Sequence, residues 1–301
     1  VVEFNRIALA DIQVSNNFVD EKKILYTTIS GAQAISELLR LDGKYTESDN
    51  LLEDWTRGGT YFESASALLE EGEVSGSITD ENGKICINRL VDEDGSLNTT
   101  QFSLWRRLLE QPRFELDEQE AMTLIYSLKD WLDRDDQVSD IYGAEDTYYL
   151  PQGYKCKNGP VDTLEELLYV NGMTRELFYG GENREGLRGC LSVYGAGAVN
   201  INTAPIPVLI ALSPRMNESI ARELDDYRRE PTNRGDLQSR EWYQRLWPYD
   251  ELIPEDLLTV KSSHFTLRML GTLRESRKHV RAVLHRTQES TDIVYWQEAV
   301  Q

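Results

Sequence analysis

The chain has 301 residues, with 32 Lys or Arg against 52 Asp or Glu, so its formal net charge is −20 at pH 7. This charge argues against nucleic acid and anionic membranes as partners, because both bind proteins mainly through cationic side chains. Apolar residues make up 40% of the chain, and this share and the chain length predict a folded protein of one large or two to three small domains. The chain contains no run of 18 apolar residues, so neither a membrane span nor a signal peptide is predicted.

Residues 1–41 are predicted to form one long helix. They contain no proline, and their apolar residues recur at steps of three, four and seven. These residues are Ile7, Val14, Phe18, Leu25, Ile29, Ala32, Ile35 and Leu39. At 1.5 Å per residue the helix would be roughly 60 Å long, so we expect it to project or to pack against a partner helix. The alternative is two shorter helices with a break near Asn16-Asn17 or Gly31.

Two segments with strand-like alternation flank a helical block. Residues 74–90 are predicted to form a hairpin, with Asn82-Gly83 as a two-residue type I′ turn. After residue 262 the period changes to two and predicts three antiparallel strands, with turns near Gly271-Thr272 and at residues 287–291. We expect these strands to share one sheet that packs on the N-terminal helix, so the fold class is α+β with the helical block as an insertion.

The helical block contains several predicted helices. Residues 101–133 form two of them, separated at Pro112. A short helix follows at residues 163–170, with Asp162 or Thr163 as its cap. Thr203 is predicted to cap another helix, with Pro205 in its first turn, and residues 216–227 form the last one.

Residues 130–149 concentrate acidic side chains, with Arg134 as the single cation among them. The carboxylates are Asp130, Asp133, Asp135, Asp136, Asp140, Glu145 and Asp146. Carboxylates at this density repel one another unless solvent or a cation offsets them, and oxygen ligands in a loop suit Ca²⁺ better than Mg²⁺. The stretch is not an EF-hand, because a loop counted from Asp133 has Val138 and Ala144 where Gly and Glu are required. A solvated acidic loop without metal stays open as the alternative.

Cys86, Cys156 and Cys190 contain no C-x-x-C pair, which argues against a zinc ribbon. Cys86 lies in a strand pattern and is expected to be a small buried residue. Cys156 and Cys190 lie in loop-like sequence and could form a disulfide in an oxidising compartment. Spacing alone leaves this pairing open.

Five segments that follow one another along the chain carry a resemblance to a known family. They are residues 81–90, 130–135, 143–146, 157–160 with 164–167, and 199–205. Together they resemble the general secretion pathway protein K family, the minor pseudopilin K of bacterial type II secretion systems. The resemblance implies an α+β, pilin-like fold, in which a long N-terminal helix packs on an antiparallel sheet, with a large inserted α-helical domain of two SAM-like units. The implied domains are residues 1–100 and 261–301 for the pilin-like part, 101–198 for the first SAM-like unit and 199–260 for the second.

The resemblance also implies a function. The protein would be a structural, non-enzymatic minor pseudopilin at the tip of the pseudopilus, in complex with the minor pseudopilins I and J, and would serve protein secretion across the outer membrane. Full-length members are periplasmic proteins anchored in the inner membrane by an apolar N-terminal segment. The sequence lacks this segment and begins at Val1 within the predicted helix, so we expect a processed or truncated N-terminus and no membrane contact of the chain as given.

The resemblance finally implies Ca²⁺ as a cofactor, because family members bind it in the helical insertion. The positions that match are Asp133, Asp135, Glu145 and Asp146, with Asp130 added from the end of the preceding helix. Asp136 and Asp140 match the family less well.

Two other functions stay open on the sequence. Residues 200–205, followed by two helices, resemble the opening of a helix-hairpin-helix binding module, although residues 213–217 lack the glycines that let backbone N–H groups approach phosphate. The second function that stays open is a Ca²⁺-dependent hydrolase, since glycosidases also use paired carboxylates. The chain contains no G-x-S-x-G elbow, no phosphate-binding loop and no histidine pair at metal spacing, so we do not expect an enzyme.

Overall fold

The structure is a computed structural model that describes residues 2–66, 72–182, 184–247 and 253–300. In chain order the α-helices are α1 (Val2–Tyr45), α2 (Gly58–Ser66), α3 (Thr99–Leu109), α4 (Glu118–Leu132), α5 (Asp146–Tyr149), α6 (Arg175–Tyr179), α7 (Ile206–Ala211) and α8 (Glu218–Arg229). The strands are β1 (Gly72–Asp80), β2 (Ile85–Cys86), β3 (Gly180–Gly181), β4 (Arg184–Glu185), β5 (Leu191–Ser192), β6 (Val199–Asn200), β7 (Leu258–Thr259), β8 (His264–Leu273), β9 (Ser276–Arg286) and β10 (Thr291–Val300). By their contacts these elements form unit 1, Val1–Asp80 with Ser263–Gln301, and unit 2, Glu81–Ser262.

Helix α1 is continuous from Val2 to Tyr45, which confirms the prediction of one long helix. It runs without a break through Asn16-Asn17 and through Gly31, and it ends slightly later than predicted. Residue 1, where the predicted helix begins, lies outside the described residues. None of the helices in the described ranges is both long and apolar enough to cross a lipid bilayer.

The two halves of α1 differ in burial. In the second half, one stripe packs against the sheet of unit 1, as predicted. Its most buried apolar side chains, each at most 1% exposed, are Ile24, Ala32, Ile35 and Leu39. In the first half, Val14 and Phe18 are 68% and 60% exposed, and the side chain of Ile7 lies outside the described part. The apolar face predicted from the sequence is therefore covered only in its C-terminal half.

The sheet of unit 1 has four antiparallel strands in the order β1-β8-β9-β10, as expected for an α+β fold. The alternating side chains of β8 and β9 face α1, and they form the core with β1 and α1. Gly271 lies inside β8 rather than in a turn, since it pairs with Val74 of β1 and Lys278 of β9. The position is a glycine because a Cβ there would be 2.3 Å from Ile24 Cγ2 of α1. The β8–β9 turn is instead formed by Arg274 and Glu275, between the paired residues Leu273 and Ser276.

The predicted hairpin over residues 74–90 is wrong. Strand β1 pairs along its whole length with β8, whereas β2 pairs in parallel with β5. Asn82-Gly83 belongs to a turn in which the Lys84 N–H donates to the Glu81 carbonyl at 3.2 Å. The glycine is needed for a close approach, since a Cβ at Gly83 would lie 2.6 Å from Thr203 Oγ1. A local turn signal could not reveal this distant contact, nor could it show that β1 pairs with β8 along its whole length.

Unit 2 confirms most of the predicted helices. Helices α3 and α4 lie on either side of Pro112, and α8 corresponds to the last predicted helix but begins and ends two residues later. Residues 164–169 form a 3₁₀-helix whose capping box uses Thr163. Helix α7 begins one residue after Pro205, which is its N-cap, so the predicted cap at Thr203 is wrong.

The two units differ from the implied domains in one respect. Residues 81–100, which the resemblance assigns to the pilin-like part, make their contacts in unit 2, since β2 pairs with β5 there. The division of the insertion into residues 101–198 and 199–260 stays a prediction. Cys156 and Cys190 are free, buried thiols and do not form a disulfide.

Candidate metal centre

The acidic stretch lies between two helices of unit 2. Helix α4 begins with a capping box, in which Asp117 accepts from the Glu120 N–H and Glu120 accepts from the Asp117 N–H. It ends because Asp133 takes an extended backbone conformation as its C-cap, and Glu145 is the N-cap residue of α5. The end of one helix and the start of the next thus position two of the predicted ligands.

Three carboxylates converge at this place. Asp133, Asp135 and Glu145 each place one oxygen within 4.8 Å of the oxygens of the other two. Asp133 and Glu145 are 2% exposed, and Asp135 lies at the surface. Among the described residues, no nitrogen or oxygen donates a hydrogen bond to Asp133 Oδ1 or to either carboxylate oxygen of Glu145, whose neighbour is the weakly donating Cys156 thiol. A buried acceptor without a donor costs roughly 1–3 kcal/mol, more when charged, so this oxygen-only cluster fits a hard cation.

Lys129 partly neutralises the cluster. Its Nζ donates to Asp133 Oδ2 at 2.5 Å and to Ser139 Oγ at 2.6 Å. One ammonium faces three carboxylates, so the cluster keeps a net negative charge. The spacing of Lys129 and Asp133, four residues apart on a helix, was a signal for this pair that the sequence-based prediction did not use.

The pKa values of three buried acids at this place, Glu145, Asp133 and Asp130, are raised. Burial, and then the charge of Asp130, raises the pKa of Glu145 to about 7. Burial also raises the pKa of Asp133, against the opposing effect of Lys129, and that of Asp130, against the opposing effect of Ser139. The fold therefore disfavours full ionisation of the cluster, and a bound cation would relieve that cost.

The other two predicted ligands are engaged elsewhere. Both carboxylate oxygens of Asp130 accept from the Ser139 N–H, at 3.0 and 3.1 Å. Asp146 Oδ1 accepts from the Cys156 N–H at 2.9 Å, and its Oδ2 lies 3.8 Å from Lys155 Nζ. The charge of Asp130 thus acts on Glu145 of the cluster, whereas Asp146 is not one of the converging carboxylates.

The loop owes its path to residues that sequence reasoning did not assign to the site. A Cβ at Gly143 would lie 2.2 Å from Asp130 Oδ2 and 2.5 Å from the Ser139 carbonyl oxygen. Asp136 holds the Asn158 side chain, with Oδ1 and Nδ2 2.9 Å apart, which leaves it outside the cluster. The glycine at position 143 is therefore required by packing around the buried Asp130 carboxylate.

A second acidic group lies in unit 1. Asp42, Asp49 and Glu53 also bring their carboxylate oxygens within 4.8 Å of one another. Here a cation is already present, because Arg286 Nη2 contacts both oxygens of Asp49 at 2.5 Å and Nη1 lies 3.1 Å from Asp42 Oδ2. Glu53 Oε2 accepts from Trp55 Nε1 at 2.8 Å. Arg286 thus neutralises this second group, as Lys129 partly neutralises the first.

Unit 1 is expected to lose stability as the pH rises through 7 because of Glu53. Burial, and then the charge of Asp42, raises the pKa of Glu53 from 4.5 to about 7. The folded state therefore binds a proton that the unfolded state releases above about pH 4.5, and this contribution to stability is lost as the pH rises past the folded pKa. Glu53→Gln should flatten the decline in melting temperature between pH 5 and 8. The exposed Glu47→Gln is the control, and equal pH slopes for both variants would contradict the prediction.

Comparisons with known proteins point to one family. A family model described as type II secretion system (T2SS), protein K, matches residues 83–179. The chain is 24% identical to the type II secretion system protein K of Aeromonas hydrophila, over 93% of this chain and 86% of that protein. It is 27% identical to the same protein of Pectobacterium carotovorum subsp. carotovorum, over 88% of this chain and 80% of that one. The GspK-GspI-GspJ complex of the enterotoxigenic Escherichia coli type 2 secretion system contains a chain of the same fold, with a TM-score of 0.72, 18% identity and coverage of 95% of this chain and 99% of that chain.

These relatives are components of bacterial type II secretion systems, and this chain shares with the solved one an α+β fold that has a long N-terminal helix on an antiparallel sheet and an additional helical region. The candidate metal centre lies within the segment that the family model covers. The chain is thus similar to the type II secretion system protein K family, through the family model over residues 83–179 and through these relatives over most of its length. The resemblance indicated by the short segments is confirmed, since the comparisons find the same family.

Proposed function

We propose that this protein assembles with the minor pseudopilins I and J at the tip of the periplasmic pseudopilus, and that its full-length form is anchored in the inner membrane. The structure of similar fold is a complex of GspK with GspI and GspJ, which supports this choice of partners. The observation in this chain that carries the proposal is an exposed apolar stripe on α1, formed by Ile12, Val19 and Tyr26.

This stripe has the spacing of a helix–helix contact. Ile12, Val19 and Tyr26 follow one another at steps of seven and are 57%, 50% and 67% exposed. Residues seven apart project from the same face of a helix, so these three side chains form one apolar line along α1, called the seam below, which a partner helix can cover. Large exposed apolar side chains in a row mark an interaction surface. We propose that helices of other pseudopilins pack on this seam.

The inserted helical unit supports a place at the tip. Glu81–Ser262 enters the chain between β1 and β8, which are neighbours in the sheet. An insertion of this size on a pilin-like body would hinder the addition of a further subunit above it. In this proposal the insertion consists of two SAM-like units, at residues 101–198 and 199–260.

The seam predicts how assembly with I and J can be weakened. Val19→Glu places a charge in the seam and should reduce the affinity for a preformed I–J pair by roughly tenfold or more, because burying an unpaired charge in an interface is costly. The control is Asn17→Glu, which adds the same charge at an exposed position outside the seam. Size-exclusion chromatography and calorimetry measure both complexes. If wild type does not bind the I–J pair, or if both variants bind equally, the proposal is wrong.

We also propose that Asp133, Asp135 and Glu145 hold one Ca²⁺. The buried oxygens without donors support a cation, and a set of oxygen ligands from an irregular loop favours Ca²⁺ over the more demanding Mg²⁺. The ion would supply positive charge and join the end of α4 to the start of α5, which is a structural role. Asp130 would remain beside it, and Asp146 would become a ligand only by leaving Cys156 and Lys155.

A further inference from the structure

A cleft of about 700 Å³ lies within unit 2, between the loop of residues 91–98 and the end of α4. Gly95 of this loop has a φ of 86°, and a Cβ there would lie 3.8 Å from the Asp133 Cβ, so the loop passes directly beside the end of α4. Six acidic residues and two arginines line the cleft. The acids are Asp92, Glu93, Asp94, Asp133, Asp135 and Asp256, and the arginines are Arg89 and Arg134. The negative charges outnumber the positive ones, so the cleft favours a cationic ligand.

Two acids of the cleft are available to such a ligand. Among the described residues, Glu93 and Asp256 take part in no hydrogen bond or ion pair, and both side chains are exposed. In the same part of the chain, neither belongs to a group of three acids whose oxygens converge within 4.8 Å, as those of Asp133, Asp135 and Glu145 do. A bare metal ion needs oxygens that converge closely. Glu93 and Asp256 therefore suit a larger, organic cation.

A buried acceptor without a donor belongs to the wall of the cleft. Gln101 of α3 lines the cleft and is 6% exposed. Its Nε2 donates to the Gly197 carbonyl oxygen at 2.9 Å. Because a carbonyl only accepts, this bond fixes the orientation of the amide and turns Oε1 away from Gly197. Among the described residues nothing donates to that Oε1. A buried acceptor without a donor is costly, so a ligand that supplies an N–H group would remove this cost.

The rest of the lining favours a lysine side chain on a polypeptide. Val91, Leu132 and Pro160 add apolar surface to the cleft. A lysine stem lies along such surface while its ammonium reaches polar acceptors. Arg89 and Arg134 have no hydrogen-bond or ion-pair partner among the described residues. They can donate to backbone carbonyl oxygens, which a polypeptide supplies and a free amine does not.

We propose that this cleft binds a lysine-rich segment of a partner polypeptide. One lysine inserts its stem along Val91 and Leu132 and donates to Gln101 Oε1, and further lysines pair with Glu93 and Asp256. The cleft lies in unit 2, whereas the seam lies on α1 of unit 1. The inference therefore goes beyond assembly with the pseudopilins I and J and does not depend on it.

A rhodamine-labelled peptide of alternating Lys and Ser tests the proposal by fluorescence anisotropy, in EGTA and at about 0.15 M salt, which screens diffuse attraction. The same peptide with acetylated lysines keeps the stems without their charge. We expect saturable binding of the lysine peptide alone. The variant Glu93→Gln/Asp256→Asn should raise its Kd about fivefold or more. The control Glu223→Gln/Asp226→Asn removes the same charges from exposed positions of α8 outside the cleft and should leave Kd unchanged. No saturable binding, or equal effects of the two double variants, would overturn the proposal.

A second peptide separates an inserted lysine from a general attraction to acidic surface. Diaminopropionic acid in place of each lysine keeps the charge but shortens the stem, so this peptide should bind the wild type severalfold more weakly. In Gln101→Leu, which removes the buried acceptor and no charge, the two peptides should bind alike. A merely structural effect of this substitution would weaken both peptides equally. Equal binding of the two peptides to the wild type, or an unchanged difference in Gln101→Leu, would contradict the insertion of a lysine at Gln101.

Unlabelled competitors distinguish the sources of the cation. Butylamine carries the ammonium and stem without a peptide backbone, and millimolar Ca²⁺ tests whether the acids of the cleft bind a metal ion instead. We expect the unlabelled lysine peptide to displace the probe far more effectively than either. If butylamine or Ca²⁺ displaces the probe as effectively as the unlabelled peptide does, the polypeptide assignment fails.

Discussion

Replacing Arg286 with methionine is expected to lower the free energy of unfolding by about 3–5 kcal/mol, the usual cost of leaving a buried charge without its partner. Arg286 is 5% exposed and Asp49 is fully buried. The guanidinium contacts both oxygens of Asp49 at 2.5 Å, Asp42 at 3.1 Å and the Leu39 carbonyl at 3.2 Å. It therefore joins the end of β9 to the end of α1, and its removal leaves a buried carboxylate uncompensated.

Urea unfolding followed by circular dichroism measures this loss. The matched control is Arg40→Met, which breaks an exposed pair with Glu37 on α1 and should cost about 0–1 kcal/mol. The double variant Arg286→Met/Asp49→Asn should recover part of the stability, because it removes the buried charge as well as its partner. A loss below about 1 kcal/mol for Arg286→Met, or no recovery in the double variant, would show that this pair does not stabilise unit 1.

Saturating Ca²⁺ is expected to stabilise the protein by about 2.7 kcal/mol when its concentration is a hundred times its Kd. The folded insertion presents the converged oxygens of Asp133, Asp135 and Glu145, and the unfolded chain does not. Glu145→Gln should have two effects. It removes a buried charge, so the metal-free protein should melt at a higher temperature at pH 8, and it removes a ligand, so the response to Ca²⁺ should largely disappear.

Melting curves in EGTA and in millimolar Ca²⁺, together with a calorimetric titration, measure both effects. The control is Asp140→Asn, an exposed acid of the same loop that lies outside the cluster. Its backbone has a φ of 59°, a conformation that Asn also adopts readily, so the substitution should leave the Ca²⁺ response intact. Identical melting curves of the wild type in EGTA and in Ca²⁺ would refute the metal proposal.

The acidic loop illustrates how far a sequence can indicate a site. The charge density of residues 130–149 was enough to predict a cation site and to place its ligands in one loop. It could not separate Asp133, which converges with the others, from Asp146, which holds the Cys156 N–H and faces Lys155. That choice depends on the extended turn after α4 and on the close packing at Gly143, which spacing does not reveal.

The length of α1, the helices on either side of Pro112 and the three C-terminal strands followed from the chain alone. Each arises from interactions within a few residues: helical or alternating spacing of apolar groups, caps, and a proline that ends a helix. Such causes are contained in short stretches of sequence, so the order of the residues is enough to recognise them.

Contacts between distant segments required the tertiary structure. The Asn82-Gly83 turn signal suggested a hairpin, yet β1 pairs with β8, which lies nearly two hundred residues away in the chain. Asp49 likewise finds its counter-ion in Arg286 of β9, and Arg268 meets Arg281 only across two strands. In each case many partners are compatible with the local pattern. The choice among them rests on the burial and register of the whole sheet, because only the folded chain brings those surfaces together.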